Sequence, residues 1–272
     1  VLDPIMIFGL LGCPAMGISG AAAATVIGQI IAMFLALYFN LKKNHDVSIN
    51  MRGFRPDMRI IRIIYSVGLP SIIMQSITSV MTYGMNLILI SFSATAVTVL
   101  GIYFKLQSFI FMPIFGLNNG MIPIIAYNYG SRSKKRIMDT AKLSIAIAIS
   151  IMLLGLAVFQ VFTPQLLMLF NASDSLLEMG IPALRTISLS FLFADYCIIT
   201  GSVFQALGNG VYSLIISVAR QLLCILPLAY VFSHVWGLNA VWFAFPMAEI
   251  ISTLLTSILF KRIYNKKIRI LE

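Results

Sequence analysis

Residues 143–161 read Leu143-Ser-Ile-Ala-Ile-Ala-Ile-Ser-Ile-Met-Leu-Leu-Gly-Leu-Ala-Val-Phe-Gln-Val161 and contain no charged side chain. An α-helix that crosses a bilayer needs about 20 predominantly apolar residues. Basic residues cluster just before this run, from Arg132 to Lys142. These features predict a transmembrane helix over residues 137–161, with its first end at a membrane surface.

Similar apolar runs occur along the rest of the chain. Its 272 residues are 60% hydrophobic and 10% charged, with a mean hydropathy of +0.96, whereas soluble domains are about 45–50% apolar and about 25% charged. Barrel strands alternate polar and apolar residues, which these runs do not. The sequence therefore predicts an all-α polytopic membrane protein that lies in a lipid bilayer. The seven predicted transmembrane helices are residues 19–40, 63–91, 97–127, 137–161, 177–206, 211–233 and 239–261.

The net charge of +10 comes from 19 basic and 9 acidic residues. In a soluble chain such an excess would indicate nucleic-acid binding, but here sixteen of the basic residues fall in residues 41–62, 128–142 and 261–269. The connections on the other side, at 91–96, 162–176 and 233–238, contain no Lys or Arg. The positive-inside rule then places the C-terminus in the cytoplasm, so we expect a multi-pass protein of the inner or plasma membrane with no nucleic-acid partner.

Ionisable side chains also occur within the predicted spans. Asp195, Arg220 and Glu249 come near the midplane, and Lys105 lies in the outer half. Two bases and two acids can form ion pairs that fix the helix bundle. Alternatively, a carboxylate can bind a cation or take up a proton during transport, because charges at this depth normally face a cavity or a partner. Asp195 and Glu249 are therefore the ion-coupling candidates.

An uncharged polar stripe runs along residues 63–91, with members spaced by three or four. Its members are Ser71, Gln75, Thr78, Thr82 and Asn86. Residues at this spacing share one face of a helix. The stripe is either a cavity wall or a helix contact.

The span 97–127 combines Pro113, Gly116, Gly120 and Pro123. Proline removes a backbone hydrogen bond and bends a helix, and glycine weakens it further. The cluster is a candidate hinge for a moving gate, although prolines in membrane helices also serve as packing kinks.

Several catalytic signatures do not occur in the sequence. It contains no P-loop, no HExxH and no GxSxG, and neither His45 nor His234 has a second ligand at metal spacing. We therefore predict no catalytic residue, no metal site and no enzyme activity.

Several segments together resemble the multidrug and toxic compound extrusion (MATE) family, particularly its bacterial members. The most specific is Gly116-Leu-Asn-Asn-Gly120-Met-Ile-Pro123-Ile-Ile-Ala-Tyr127-Asn128-Tyr129-Gly130. The supporting segments are Leu2-Asp3-Pro4, Gly17-Ile-Ser-Gly20, Gly68-Leu69-Pro70, Phe204-Gln205-Ala206-Leu207-Gly208-Asn209-Gly210 and Arg220-Gln221. Their order and spacing along the chain carry the resemblance.

The resemblance implies a twelve-helix transporter of two six-helix lobes. Residues 63–262 would form the second lobe, 19–40 the last helix of the first lobe, 41–62 the cytoplasmic linker and 263–272 a basic cytoplasmic tail. Residues 1–18 would be an extracytoplasmic hairpin remnant, and the remaining N-terminal lobe of the same chain would be missing. Such transporters export small organic cations or amphipathic drugs by alternating access, in exchange for sodium ions or protons and without another cofactor.

The site residues that the resemblance suggests are polar residues of the matched helices. Part of the family binds cations through acids in its seventh and tenth helices. Here the seventh has Gln75 and Thr78 in that region, and Asp195 approximately matches the tenth. Lys105 is similar to a basic residue of some bacterial members. The cavity candidates are Gln75, Thr78, Thr82, Asn86, Lys105, Asn118, Asn119, Gln205 and Arg220.

Two alternatives to drug export remain. A related transporter of the same superfamily could export lipid-linked saccharides, in which case we expect a more basic cavity. A seven-helix receptor would share the predicted topology. Against the receptor, the last span has no central Lys for a retinal linkage, and no Asp-Arg-Tyr or Asn-Pro-x-x-Tyr motif occurs.

Overall fold

A computed structural model describes residues 2–9, 12–43 and 55–271. Residues 44–54 of the predicted linker, with His45 and Arg52, lie outside the described part, as do positions 10 and 11 of the predicted hairpin remnant. All regular secondary structure in the described ranges is helical, as predicted. The chain divides into two compact units, Val1–Met58 and Arg59–Glu272.

Two of the helices in the described ranges are followed directly by π-helical segments. In chain order they are α1 (Leu2–Phe8), α2 (Gly17–Lys43), α3 (Met58–Ile90), α4 (Ala94–Gly130), α5 (Lys134–Val161), α6 (Thr163–Met168), α7 (Asp174–Ser188), α8 (Phe191–Ala206), α9 (Gly210–Val218), a first π segment (Ala219–Ile225), α10 (Leu226–Val235), α11 (Leu238–Val241), α12 (Ala244–Ile263) and a second π segment (Tyr264–Ile268).

Six spans in the described residues are long and apolar enough to cross a membrane. They are α2, α3, α4, α5, residues 210–235 and residues 238–268, and α7 with α8 forms a seventh if this bent pair counts as one span. The prediction of about seven apolar membrane helices is confirmed.

The predicted span 177–206 is wrong as one continuous helix, because α7 and α8 meet at 48°. Ser188 Oγ donates to the Arg185 carbonyl at 2.9 Å, and Ser190 Oγ donates to the Ile187 carbonyl at 2.6 Å. Hydroxyl groups that bond to nearby carbonyls compete with the helical ladder. Two serines that bond to carbonyls three residues earlier thus lie at the break.

The predicted span 211–233 is not a regular α-helix throughout, because it contains the first π segment. Pro227 follows it in the first turn of α10. Proline has no N–H, and its ring clashes with the carbonyl four residues earlier, at Leu223. The wider π turn accommodates both effects, and π turns are frequent at functional sites.

The hinge candidates lie in a helix that the structure shows as continuous. α4 runs unbroken from Ala94 to Gly130, with Pro113 and Pro123 inside it. A Cβ added at Gly116 or Gly120 would meet no described atom within 4 Å. Packing in the described residues therefore does not require glycine at these positions, and the hinge stays a prediction.

Aromatic side chains form the centre of the Arg59–Glu272 unit. The ring of Phe159 lies 5.2 Å from that of Phe191 and 6.5 Å from that of Tyr103, and Tyr103 lies 6.0 Å from Phe245. All four residues are buried. The cluster holds α4, α5, α8 and α12 in fixed positions around the cavity described below.

Basic residues connect the second π segment to the rest of this unit. Lys267 Nζ donates to the Leu207 carbonyl at 2.7 Å and lies 5.6 Å from the centre of the Tyr129 ring. The second π segment also supplies an aromatic ring to a cation from another helix, because Lys134 Nζ of α5 lies 5.8 Å from the centre of the Tyr264 ring. A cation at the carbonyl end of α8 also complements the helix dipole.

Candidate functional site

The Arg59–Glu272 unit contains a partly open cavity of about 670 Å³. Its walls come from α3, α4, α8, α9, the first π segment and α12. Binding pockets for small organic molecules typically measure about 300–1,000 Å³. The cavity is therefore large enough for a drug-sized molecule.

The structure brings many of the predicted site residues to this cavity. Those at its wall are Gln75, Thr78, Asn118, Asn119, Gln205, Arg220 and Glu249. They come from α3, α4, α8, the first π segment and α12, which are distant in sequence. The wall is thus rich in amide groups, with one base and one acid.

Thr82 and Asn86 share the stripe of Gln75 but do not line the cavity. Both are half-buried on α3, and Thr82 Oγ1 donates to the Thr78 carbonyl at 2.9 Å. On α3 the cavity reaches only from Ser71 to Met81. The stripe therefore continues beyond the end of the cavity.

Lys105 also lies outside the cavity lining. It is exposed, and its Nζ lies 6.0 Å from the centre of the Phe170 ring. Phe104, one residue earlier, does line the cavity. Successive residues are about 100° apart around a helix, so Lys105 is turned away from the wall.

Arg220 and Glu249 form an ion pair at the cavity wall. Arg220 Nη1 donates to Glu249 Oε1 at 3.2 Å, joining the first π segment to α12. The side chain of Arg220 is 21% exposed and that of Glu249 is 10% exposed. Glu249 Oε2 is buried and has no hydrogen-bond partner among the described residues.

Asp195 lies in different surroundings. It is fully buried on α8 and does not line the cavity, although its neighbour Ala194 does. Its Oδ1 accepts a hydrogen bond from its neighbour Tyr196 N at 2.6 Å, and its Oδ2 has no partner in the described ranges. Of the two ion-coupling candidates, only Glu249 is therefore at the cavity.

The aromatic part of the wall was not among the predicted site residues. Phe104, Phe111 and Phe115 line the cavity from α4, together with Gln107 and Ser108. Gln107, Ser108 and Phe111 follow Phe104 by three, four and seven residues, and Phe115, Asn118 and Asn119 continue this pattern. Residues at these spacings lie on one face of a helix. That spacing is visible in the sequence, but apolar residues at this spacing equally suit a lipid-facing surface.

Metal-ligating groups do not cluster in the described part of the chain. Among those residues there is no group of three or more His, Cys, Asp and Glu side chains that could hold a metal ion. His234 Nδ1 instead lies 2.9 Å from the Tyr230 carbonyl.

Known proteins match nearly the whole chain. Multidrug export protein MepA of Staphylococcus haemolyticus is 29% identical over 267 residues, which cover 98% of this chain and 58% of that protein. MepA of a bovine strain of Staphylococcus aureus is 29% identical over 251 residues, or 92% of this chain and 54% of that protein. The chain therefore spans just over half the length of these relatives.

Solved structures give the same picture. A transporter of the MOP superfamily from Pyrococcus furiosus matches with a TM-score of 0.86 at 28% sequence identity. The match covers 96% of this chain and 58% of that transporter. A MATE transporter in an outward-facing conformation matches with a TM-score of 0.87 at 27% sequence identity. This match covers 97% of this chain and 59% of that transporter. The MatE family model matches residues 70–231, more than half of the chain. With this match, the matching folds and the motifs in agreement, the chain belongs to the MatE family of multidrug and toxic compound extrusion transporters.

Proposed function

We propose that this chain contributes the second lobe of a secondary transporter, not an enzyme, that exports cationic or amphipathic organic compounds in exchange for sodium ions or protons. The observation that carries the proposal is the cavity of about 670 Å³, with aromatic and amide side chains on its wall and an ion pair at its surface. The description of relatives as multidrug export proteins supports the same substrate class.

The proposed domain organisation follows the MATE pattern. Residues 63–262 form the second lobe, 19–40 the last helix of the first lobe and 41–62 the linker between them. Residues 1–18 precede that helix outside the cytoplasm, and the basic tail 263–272 lies in the cytoplasm of a cell with this protein in its inner or plasma membrane. The boundary between the two compact units, at Met58 and Arg59, supports this arrangement. The chain matches 58% of the length of a MepA relative, which supports a first lobe as its partner.

The proposed transport cycle is alternating access of the cavity to the two sides of the membrane. The region from Pro113 to Pro123 of α4 acts as the hinge, because its two prolines weaken the backbone and Gly116 and Gly120 have free space beside them. Asp195 and Glu249 are the proposed ion-coupling groups. Each has a buried oxygen without a partner in the described residues, so a proton or sodium ion there would satisfy it.

Export of lipid-linked saccharides is the less favoured candidate. We expect a predominantly basic cavity for a cargo linked through phosphate groups. The described wall instead carries one base and one acid, which are paired with each other. This balance favours an organic compound that binds through aromatic and amide side chains.

A reconstitution experiment tests the proposal. The complete transporter, meaning this chain together with the proposed first lobe, is placed in proteoliposomes with a fluorescent amphipathic dye. An imposed sodium or proton gradient should drive dye movement, and dissipating the gradient with an ionophore should stop it. The 272-residue chain alone should not move the dye, because one lobe has no partner to move against. Gradient-independent movement, or none with the complete transporter, would overturn the proposal.

A further inference from the structure

The turn between α4 and α5 and the second π segment are far apart in the sequence but adjacent in the folded protein. Lys134 Nζ, in the first turn of α5, lies 5.8 Å from the centre of the Tyr264 ring. Lys267 Nζ, in the second π segment, lies 5.6 Å from the centre of the Tyr129 ring near the end of α4. These two contacts run in opposite directions between the segments and hold them together as one surface.

Both segments are strongly basic. Four of the five residues 132–136 and three of the four residues 266–269 are Lys or Arg, and neither stretch contains an acid. We call these seven basic residues the basic patch. None of them forms a salt bridge within the described part of the chain, although the exposed Asp139 follows one turn further along α5. Like charges held close together repel one another, so an anion bound among them would be stabilised.

The start of α5 adds to the positive field of the patch. A helix begins with backbone N–H groups that have no partner within the helix, and with the positive end of its dipole. Here the first turn contains no acid and begins Lys134-Lys135-Arg136. Ser133, the residue before the helix, makes no capping hydrogen bond through its side chain. An anionic group would supply the charge that this helix end lacks among the described residues.

Arg132 has a backbone conformation that favours glycine. Its φ is 57°, in the left-handed region, where a side chain costs free energy that glycine avoids. It directly follows the last residues of α4, at the position where helices commonly end with glycine. The side chain of Arg132 is exposed. The turn itself is therefore better suited to glycine, and its stability does not require the arginine side chain.

The basic patch lies where candidate membrane spans end. α4, α5 and the span 238–268, which includes the second π segment, are long and apolar enough to cross a membrane. The ends of such helices lie at the level of the lipid headgroups. Clusters of Lys and Arg at this level attract anionic lipids, and basic pockets between membrane helices bind their headgroups. An anionic lipid is thus the partner whose position and charge both match the patch.

We propose that the basic patch binds the phosphate headgroup of an anionic phospholipid, which bridges the start of α5 and the second π segment. The exposed guanidinium groups of Arg132 and Arg269 present forked N–H donors that match phosphate oxygens. Lys134 and Lys267 are half-buried and add point charges between them. The inference concerns a lipid at the end of the helices and does not depend on the cargo of the cavity.

Lipid titration of the complete transporter in a nonionic detergent tests the inference. Phosphatidylglycerol and phosphatidylcholine with identical acyl chains are added separately, and bound lipid is counted by native mass spectrometry. We expect the first phosphatidylglycerol to bind about tenfold or more tightly than phosphatidylcholine, because several basic side chains meet one anionic headgroup. Bound phosphatidylglycerol should also raise the temperature of thermal unfolding, since it binds the folded state.

Arg132→Gly separates lipid binding from a structural role. Glycine suits the left-handed turn, so this variant should unfold at the same temperature as the unmodified transporter or a higher one. It should nevertheless bind phosphatidylglycerol about fivefold less tightly, which is the factor expected for one basic residue at a membrane surface.

Lys266→Gln tests the contribution of the other segment. If one lipid bridges both segments, this variant should weaken the same first binding step by a similar factor. Arg185→Gln is the matched control, because it removes one exposed positive charge from α7, outside the basic patch. It should bind phosphatidylglycerol as the unmodified transporter does.

Three results would overturn the inference. They are equal binding of the two lipids, full affinity for phosphatidylglycerol in folded Arg132→Gly or folded Lys266→Gln, and an equal loss of affinity in Arg185→Gln. Competition distinguishes a lipid from other anions. Inorganic phosphate should not displace the bound lipid at equal concentration. Displacement by phosphate, or tighter binding of a short single-stranded RNA than of phosphatidylglycerol, would show that the patch serves a soluble anion and would overturn the assignment of a lipid.

Discussion

Glu249 and Asp195 are both carboxylates near the middle of membrane-spanning helices, yet they lie in different surroundings. Glu249 is at the cavity wall and is paired with Arg220 at 3.2 Å, whereas Asp195 does not line the cavity and accepts a hydrogen bond from the backbone N–H of Tyr196. Each retains an oxygen without a partner among the described residues. The comparison separates a carboxylate that a cargo can influence directly from one that can respond only to a small ion or to helix movement.

The largest effect is expected at Asp195. Asp195→Asn should abolish export by the complete transporter, because the amide keeps the acceptor for Tyr196 N but can neither bind a proton nor neutralise a cation. Gradient-driven dye movement in proteoliposomes is the measurement, with membrane expression as the control. If export continues at the unmodified rate, Asp195 is a structural residue and Glu249 remains as the candidate coupling group.

The next effect concerns stability at the cavity wall. Arg220→Ala leaves the Glu249 carboxylate buried without its partner and should lower the free energy of unfolding by about 3 kcal/mol. Adding Glu249→Gln should recover most of that loss, since no unpaired charge then remains. Thermal unfolding in detergent measures both. Equal stability of Arg220→Ala and the double variant would mean that solvent already compensates the carboxylate.

A smaller effect is expected at the contact between α12 and α8. Thr256 is fully buried on α12, and its hydroxyl donates to Cys197 Sγ of α8 at 3.5 Å. Thr256→Val keeps the shape and removes this bond, so it should cost about 1 kcal/mol of unfolding free energy. Thr98→Val is the control, because the exposed Thr98 hydroxyl bonds only within its own helix. A larger loss at Thr98 than at Thr256 would contradict the assignment.

The smallest effect is expected at Lys105. Lys105→Gln should leave both dye binding and export unchanged, because the exposed ammonium group points away from the wall toward Phe170. Anisotropy titration with a fluorescent amphipathic dye measures the binding. Loss of dye binding would show that Lys105 reaches the cavity in another state of the transporter.

The positions of the helices could be predicted because long apolar runs and clustered basic residues report directly on the bilayer. The break between α7 and α8 could not, because serines that bond to nearby carbonyls, like Ser188 and Ser190, also occur inside unbroken helices, as Ser66 does in α3. The first π segment likewise depends on how the chain adapts to Pro227. Local hydrogen bonds of this kind leave the hydropathy pattern unchanged.

The depth of a site residue could be predicted better than the direction in which it points. Asp195 and Lys105 each lie one position from a wall residue, and a rotation of about 100° separates them from the cavity. Gln75 and Arg220 had no stronger sequence signal, yet they line it. Which face of an apolar helix meets a cavity depends on the packing of several helices, and one helix read alone does not contain that information.

Lys267 has two roles that belong to different stages in the life of the protein. In the proposed orientation it is first one of many cationic side chains that decide which end of a span stays in the cytoplasm, and any neighbouring Lys or Arg could replace it. After folding, the same ammonium group donates to the Leu207 carbonyl at the end of α8 and contacts the Tyr129 ring. Replacing it with an uncharged residue should thus leave insertion intact and loosen the finished fold. Lys267 is therefore replaceable in setting the topology but is needed for the packing of the folded protein.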